Sequence, residues 1–464
     1  MQDGWSFLFD SFIRKQIITT RFCTFAEPIQ HTMHKTRIFF LSLLLFVSSL
    51  IFAQQDLSLE KVTIVSRHSV RAPLEQYLNT LDEMTGNGYQ WTRWSVPGSH
   101  LTLRGGALET LFGEYFRLWL DEEHFTLDST DVYFGASSKQ RTIATARAFA
   151  AGMLPLMTVP VDYKVDSNGN VGYLDPDYLP LLNAHCSSDG HFDIEAFQAE
   201  AYRELGELQA PSYTFLEKML RMKHSDYARK RGTEHFDNHV EVGLNFYDKN
   251  GKMLEPAMKG GLRDANMASD AFVLQYYEME NARDAAFGRR LNFNDWKKLA
   301  YYKDYCGEIL FAKAPIISVN VSHCMLKRVQ SEMAPDGHKF AFLCSHDSMI
   351  AAVLAALRVT PYELPNTIET QTPIGFKLVL EQWTETDSPE PKRYVRAKLV
   401  YQSTDQIRGM KPMDLDNPPM SYELSFTGIE KAQNGMYDYD DFMRHLQKSI
   451  QAYDASAHGR HPWE

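Results

Sequence analysis

The sequence predicts an α/β fold that carries a mainly helical insertion. Three short apolar segments of strand type are each followed along the chain by a segment with helical periodicity. Between about residues 162 and 325, strand-like segments become scarce and helical patterns dominate. The composition is that of a globular protein, because 44% of the 464 residues are hydrophobic and 23% are charged. Disordered and fibrous classes are therefore excluded.

The first two strand–helix units lie in the N-terminal half of the chain. Residues 61–66 (KVTIVS) are apolar and β-branched, which predicts a buried strand, and residues 104–120 have apolar positions at helical spacing. Residues 131–137 (DVYFGAS) predict a second strand. The segment SKQRTIATARAFAAGML then predicts a helix with Ser137 or Ser138 as its N-cap.

The third unit combines a strand at 339–344 (KFAFLC) with a helix at 349–357 (MIAAVLAAL). Two more strands are predicted at 377–383 and 394–402, and the polar tail after about residue 450 is expected to be loose. We expect two domains from this pattern. They are an α/β catalytic domain (54–161 and 326–464) and an α-helical cap domain (162–325).

The first 53 residues are expected to lie outside the fold. Residues 33–53 have a basic start, an apolar stretch and a small residue, Ala53, before a polar segment, which is the layout of a secretory signal peptide. A membrane anchor is the alternative, but the apolar stretch 38–52 is shorter than the about 20 residues that a span needs. Residues 1–32 are interpreted as an over-extended gene start. The mature protein is therefore expected to be periplasmic or secreted, with no stable membrane span.

Charge and cysteine content limit the partners and the redox chemistry. The net charge of −11 argues against a nucleic-acid partner. The sequence contains no CxxC pair, so a zinc ribbon is not indicated. Export would permit one disulfide among Cys186, Cys306 and Cys324, whereas Cys344 lies in a predicted strand and is expected in the core. The oligomeric state is left open.

Polar side chains follow each of the three predicted strands at the point where the strand ends. Because ligands of open α/β sheets bind beyond the carboxyl ends of the strands, these side chains are expected to form one site. Its members are Arg67, His68 and Arg71 after the first strand, Arg141 after the second, and His346 and Asp347 after the third.

These residue types indicate phosphoryl chemistry. The three arginines offer forked donors to phosphate oxygens, and the helix near Ser138 adds backbone N–H groups. Neighbouring guanidinium groups lower the pKa of His68, so its imidazole keeps a lone pair for attack on phosphorus. His346 can donate to the phosphoryl oxygens, and Asp347 can protonate the leaving oxygen.

Several motifs carry a family resemblance. RHSVRAP, SHDSMIAAVLAAL and the RTIATARAFAAGMLP segment resemble the RHGxRxP, HD and RTxxTAxAFxxGxxP motifs of the histidine acid phosphatases, a branch of the histidine phosphatase superfamily. RAPL, DAFVLQYYE and TPIG are particularly similar to the periplasmic glucose-1-phosphatases of that family. The resemblance implies a three-layer α/β phosphatase domain with a helical cap, no metal and no cofactor. It also implies a phosphohistidine at His68, phosphate binding by Arg67, Arg71, Arg141 and His346, and proton donation by Asp347.

The sequence departs from the family pattern at several positions. Ser69 stands where the family usually has glycine or asparagine, and Ser345 stands where glycine normally precedes HD. Both serines are small, so we expect an altered fit rather than loss of the site. Met349 replaces a frequent asparagine at the helix start. Leu74 and Glu75 stand where phytases of the family carry threonine and lysine. Inositol hexakisphosphate favours extra cations, so this difference favours a small monophosphate.

The segment DAFVLQYYE is the candidate for contacts to the leaving group. Asp270 and Glu278 are interpreted as acceptors for substrate hydroxyls, and the alternative is that they are ordinary exposed charges of a helix.

We therefore expect an acid phosphomonoesterase for small organic phosphates such as glucose 1-phosphate. The alternatives are a phytase acting on inositol hexakisphosphate and a non-catalytic sugar-phosphate-binding protein. A binding protein would not need both His68 and Asp347. A phosphoglycerate-mutase-like enzyme would lack the RxP after the histidine and the HD pair.

Overall fold

A mixed β-sheet forms the centre of the fold in a computed structural model, which describes residues 57–464. The predicted signal peptide and gene-start extension lie outside these residues. The strands are β1 (Leu57–Arg67), β2 (Val132–Ala136), β3 (Val240–Gly243), β4 (Ala257–Gly260), β5 (Phe340–Ser345), β6 (Lys377–Glu385), β7 (Arg393–Tyr401), β8 (Met420–Glu423) and β9 (Tyr437–Asp438). Seven of these described strands form the main sheet, and β3 and β4 pair separately.

The parallel part of the sheet brings the three predicted strand ends together. The order is β2-β5-β1-β6-β7-β8, with β9 also on β7. β5 runs parallel to both β2 and β1, whereas β6 is antiparallel to β1. Arg67 lies opposite Ser345, and Ala136 lies opposite Cys344. The segments that follow β1, β2 and β5 therefore leave the sheet at the same edge.

Twelve α-helices accompany the strands in the described part of the chain. They are α1 (Leu78–Met84), α2 (Leu103–Glu122), α3 (Gln140–Met153), α4 (Ile194–Leu205), α5 (Thr214–Leu220), α6 (Asp226–Arg231), α7 (Gly261–Glu278), α8 (Phe293–Phe311), α9 (Pro315–Met333), α10 (Asp347–Ala356), α11 (Thr404–Gly409) and α12 (Tyr439–Ala457). Short 3-10 turns lie at Glu75–Tyr77, Met222–His224 and Asp284–Ala286. The predicted α/β class is confirmed.

Helices pack on both faces of the sheet. Because successive side chains of a strand point to opposite faces, the residues of one strand contribute to two different cores. Val62 and Ile64 of β1 share a core with Phe112 of α2 and Phe149 of α3. Val65, which follows Ile64 in β1, belongs to a second core. That core also holds side chains of α9, α10 and α12. Three layers result.

The helical insertion lies between α3 and β5 in sequence. It contains α4 to α9 and the β3–β4 hairpin, and large side chains such as Phe272 and Trp296 fill its core. The same cluster includes Val70 and Leu108 from the sheet-bearing part, so the two parts share a core. The boundaries of a separate cap domain stay a prediction.

Two local predictions were wrong. The chain after residue 450 is not loose, because α12 continues to Ala457 and Tyr453 is fully buried, with its hydroxyl donating to the Asn183 carbonyl. Helix α3 begins at Gln140, one residue later than a cap at Ser138 and two residues later than a cap at Ser137 would require, and its N-cap, Lys139, makes no side-chain capping bond. The Ser137 hydroxyl is instead engaged with Thr142 and with a site histidine.

Within residues 57–464, no single helix is long and apolar enough to cross a membrane. Only α8 and α9 taken together pass that test of length and composition, and they meet at a bend of 86°.

Candidate active site

His68 follows the last residue of β1 and is held from two sides by backbone hydrogen bonds. Its N–H donates to the Ser345 carbonyl at the end of β5, and its carbonyl accepts from Gly375 N–H, each at 3.2 Å. Gly375 has φ +71°, and a Cβ there would lie 2.9 Å from the Glu109 carboxylate, so both backbone and space favour glycine. The site histidine therefore lies on well-supported backbone.

The ring of His68 has one defined donor and one free lone pair. Nδ1 lies 2.9 Å from the Ser69 carbonyl oxygen, which can only accept, so Nδ1 carries the proton and Nε2 does not. Burial lowers the pKa of His68 well below its usual range, and the guanidinium groups of Arg141 and Arg71 lower it further. The sequence argument named only the guanidinium groups, whereas burial is the larger cause.

His346 lies beside His68, with ring centroids 5.5 Å apart. Its Nε2 is 3.0 Å from the Ser137 hydroxyl, and its Nδ1 is 3.3 Å from the Arg141 guanidinium. Burial and then Arg141 lower its pKa well below the usual range. Because a guanidinium can only donate, Nδ1 accepts and Nε2 donates. Both nitrogens are engaged, so a contact to phosphate requires His346 to exchange a partner.

Arg141, in the first turn of α3, is a cation without a carboxylate partner among residues 57–464. Burial lowers its pKa to about 10, and Arg71 contributes to the shift. The group therefore stays charged at neutral and acidic pH. Asp347, Glu255 and Asp270 act on this charge only from beyond ion-pair distance. A largely desolvated charge with no carboxylate in direct contact is costly, which makes this position favourable for a bound anion.

Arg67 is almost completely buried, 1% exposed, within a network of alternating charges. One terminal nitrogen lies 2.8 Å from Glu369 and 2.6 Å from the Thr372 carbonyl, and the other lies 3.4 Å from Asp347. Lys303 of α8 joins the same two carboxylates, with its Nζ 2.8 Å from Asp347 and 3.2 Å from Glu369. The insertion thus contributes a cation to the site.

Sequence reasoning missed Lys303 and Glu369. Glu369 lies just before the TPIG motif, and its proximity to that motif was the only local signal. Lys303 lies in a helix of the insertion without any motif, and only the tertiary fold brings it to Asp347.

Asp347 is a carboxylate in this arrangement. Burial alone would raise its pKa, but Lys303 and Arg67 outweigh burial and hold the pKa well below its usual range. The residue proposed as proton donor therefore lies ionised between two cations.

Arg71 and Asp270 form a buried pair, in which one terminal nitrogen of Arg71 lies 3.2 and 3.1 Å from the two carboxylate oxygens. Asp270 also lines the cavity that begins at Arg71 and Asp347, and a contact to the leaving group stays a prediction. Glu278 does not line that cavity. Its carboxylate accepts from the Thr102 hydroxyl at 2.8 Å, next to the start of α2, so the structure gives the predicted substrate contact no support.

A cavity of about 540 Å³ opens from Arg71 and Asp347 and runs between α8 and α10. Leu74 and Tyr77 line it, whereas Glu75 is exposed and does not. The charged residues on its wall are three cations and four carboxylates. They are Arg71, Lys303 and Lys313, and Asp270, Asp304, Glu308 and Asp347.

The described part of the chain contains no group of three or more histidine, cysteine or acidic side chains suited to a metal ion. The Nε atoms of Arg67, Arg71 and Arg141 are buried donors without a protein acceptor among these residues. The chemistry of this site is thus anion binding next to a nucleophile.

Comparison with known proteins agrees with this chemistry. The family model of the histidine phosphatase superfamily (branch 2) matches residues 58–400. Glucose-1-phosphatase of Providencia rettgeri is 33% identical over 86% of this chain and 93% of its own length. Glucose-1-phosphatase of Salmonella typhimurium is 31% identical over 85% and 94%.

Phytases are also similar to this chain. Phytase AppA of Escherichia coli is 25% identical over 84% of this chain and 92% of its own length. The solved structure of the Hafnia alvei phytase has a TM-score of 0.72 at 24% identity, covering 86% of this chain and 98% of that chain, so it supports the fold alone. The family match spans well over half of the sequence, and two relatives exceed 30% identity across nearly their full length. The chain therefore belongs to branch 2 of the histidine phosphatase superfamily and is a phosphatase.

Proposed function

We propose that this phosphatase is an acid phosphomonoesterase that hydrolyses small organic phosphates, such as glucose 1-phosphate, through a phosphohistidine at His68. The observation that carries the proposal is the pairing of a neutral, buried His68 with the unpartnered cation Arg141. A phosphate dianion would supply the missing counter-charge and would present its phosphorus to the free Nε2 of the histidine.

The phosphate would be bound by three guanidinium groups. Arg67, Arg71 and Arg141 each keep a buried Nε donor, and charge-assisted bonds to phosphate oxygens are about twice as strong as neutral ones. Asp270 and Glu369 orient Arg71 and Arg67 through direct ion pairs. Arg141 would supply the uncompensated positive charge.

The proposed reaction has two steps. His68 Nε2 forms a bond to phosphorus while the ester P–O bond breaks, and the leaving oxygen takes the electron pair and a proton from Asp347. The Ser69 carbonyl stabilises the ring as its positive charge develops, because it accepts from Nδ1–H. Water then attacks phosphorus, Asp347 accepts the water proton, and the N–P bond breaks to release phosphate.

The ionised state of Asp347 supports activity in acid. The second pKa of a phosphomonoester is about 6, so below that pH the substrate is largely a monoanion and can bring the proton that Asp347 passes on. The phosphate also places negative charge next to Asp347, which raises the pKa of that carboxyl in the complex.

The charges on the cavity wall favour an uncharged, hydroxyl-rich leaving group. Carboxylates outnumber cations there, and Leu74 supplies an apolar contact on the same wall. A dense polyanion such as inositol hexakisphosphate would be repelled, whereas sugar hydroxyls could donate to the carboxylates. The names of the two relatives above 30% identity support the same substrate class.

The same proposal includes location and domain roles. Residues 33–53 would direct export to the periplasm or outside the cell, as the layout of a signal peptide suggests. Residues 162–325 would act as the cap, since they contribute both Asp270 and Lys303 to the cavity.

His68→Ala should abolish covalent labelling by a phosphorylated substrate and reduce kcat by on the order of 10³ or more, because no other group replaces the attacking nitrogen. The intermediate is measured by quenching ³²P-labelled enzyme in alkali, because the N–P bond of phosphohistidine is labile in acid. His239→Asn, at an exposed histidine of the insertion, is the control and should label normally. Persistent labelling of His68→Ala would move the nucleophile elsewhere.

Arg141→Met should lower kcat/KM by about 10²- to 10³-fold, because the uncompensated charge would no longer stabilise the transferring phosphoryl group. Arg147→Met, an exposed arginine on the same helix, is the matched control and should retain normal kinetics. If both variants behave alike in p-nitrophenyl phosphate hydrolysis, the charge of Arg141 has no special role.

Lys303→Met should move the alkaline limb of the kcat profile, which reports the enzyme–substrate complex, to higher pH. Removing the cation raises the pKa of Asp347, so the donor keeps its proton over a wider pH range. Lys303→Arg retains the charge and should keep the limb near the wild-type position. If the profile is identical in Lys303→Met and wild type, Lys303 does not affect the pKa of the proton donor.

The enzyme should hydrolyse glucose 1-phosphate with a kcat/KM at least about tenfold above that for inositol hexakisphosphate, since wall carboxylates repel the polyanion. Phosphate release from both esters at acidic pH, with and without a chelator, provides the comparison. A preference for the inositol ester would favour the phytase alternative, and no release from either ester would favour a binding protein.

A further inference from the structure

Two of the cysteines lie close together at the two ends of the helical insertion. Cys186 lies in the segment that leads into α4, and Cys324 lies in the middle of α9. Their sulfur atoms are 3.8 Å apart, and 138 positions separate them in sequence. Both side chains are half-buried, whereas Cys306 and Cys344 are fully buried and have no comparable cysteine neighbour in residues 57–464.

We propose that Cys186 and Cys324 are the site of a disulfide bond that closes the insertion at its two ends. A disulfide needs sulfur atoms about 2.05 Å apart, so the two sulfur atoms must approach by less than 2 Å. The proposal concerns covalent structure and does not depend on the catalytic function.

Hydrogen bonds hold the segment that carries Cys186 in place. The N–H of Asn183 donates to the Asn320 side chain at 2.9 Å, and the Asn320 amide donates back to the Asn183 carbonyl at 2.8 Å. Tyr453 of α12 donates to the same carbonyl at 2.6 Å. The backbone next to Cys186 is therefore fixed against α9 and α12 before any covalent bond forms.

The polar neighbours of the pair favour thiolate chemistry. The Asn183 amide lies 3.0 Å from the Cys186 sulfur and 3.4 Å from the Cys324 sulfur, so its N–H groups can stabilise negative charge on either one. The contact with Cys324 and a hydrogen bond from His323 lower the pKa of Cys186 well below its usual range. A thiolate is the nucleophile in disulfide exchange.

The bond would form by exchange with a disulfide-carrying thiol oxidant of an oxidising compartment. The Cys186 thiolate attacks one sulfur of that carrier, and the other sulfur leaves as a thiolate. The Cys324 thiolate then attacks Cys186 Sγ and releases the second carrier sulfur. The two cysteines lose two protons and two electrons in total, and the carrier is reduced to a dithiol.

The disulfide restrains the movement of the insertion. Residues 186–324 form one covalent loop that includes Asp270 and Lys303, two of the cavity residues that the insertion contributes. Closing a loop of this length restricts the unfolded chain strongly. For a chain of this size we expect the bond to raise the melting temperature by about 5 °C.

Peptide mapping of the purified full chain tests the proposal directly. The protein is equilibrated with mostly oxidised glutathione, its free thiols are alkylated, and trypsin is added without reductant. The four cysteines of residues 57–464 fall in separate peptides, namely 165–203, 304–313, 314–327 and 340–358. We expect 165–203 and 314–327 joined with the loss of two hydrogen atoms, and the other two alkylated. Recovery of 165–203 and 314–327 as separate alkylated peptides, or joined to other partners, would overturn the proposal.

Melting curves provide the second readout. For each variant, the melting temperature with reductant is compared with the melting temperature without it. Reductant should lower the melting temperature of the wild type and of the control Cys306→Ala by about 5 °C. It should leave Cys186→Ala and Cys324→Ala unchanged. A reductant effect of equal size in Cys186→Ala would contradict the pairing. Neither readout uses catalysis, so this proposal and the proposed function can fail separately.

Discussion

The site depends on an unpartnered guanidinium next to an uncharged imidazole. Burial and the neighbouring arginines keep His68 neutral, and Arg141 retains its charge without a carboxylate among the described residues. A protein interior disfavours an unpaired charge, so this arrangement is stable only because the position is partly open to solvent and anions. The same cost makes phosphate binding favourable, since the dianion supplies the counter-charge.

Carboxylates neutralise the other two arginines near His68, whereas Arg141 has no such ion pair in the described part of the chain. Glu369 neutralises Arg67 and Asp270 neutralises Arg71, so these two guanidinium groups are oriented donors, and Arg141 supplies the net charge. Lys303 extends the network to Asp347 and ties the insertion to the carboxyl end of β5. The position of the insertion therefore affects the ionisation of the proposed proton donor.

Because the pKa of Asp347 depends on Lys303, the contacts that hold the insertion against the sheet also affect the proposed proton transfer. The two parts share a hydrophobic core, and Asn183, Asn320 and Tyr453 connect the start of the insertion to α9 and α12. A shift of 1 Å at α8 would change the distance between Lys303 and Asp347, and with it the pKa of the donor. A covalent link between Cys186 and Cys324 would limit such shifts.

The sequence by itself determined the α/β class, the three parallel strands and the phosphatase family, because each strand and its following polar cluster are contiguous in the chain and the motifs are local. It also predicted the direction of the His68 pKa shift, although burial contributes more than the arginines that the motif shows. Tertiary structure decided which charges are paired. The ion pairs Arg71–Asp270, Arg67–Glu369 and Lys303–Asp347 join residues far apart in sequence, and α12 is ordered to Ala457 by packing that local polarity does not reveal. Periodicity and motifs report neighbours within a few residues, whereas burial and ion pairing depend on segments that meet only when the chain has folded.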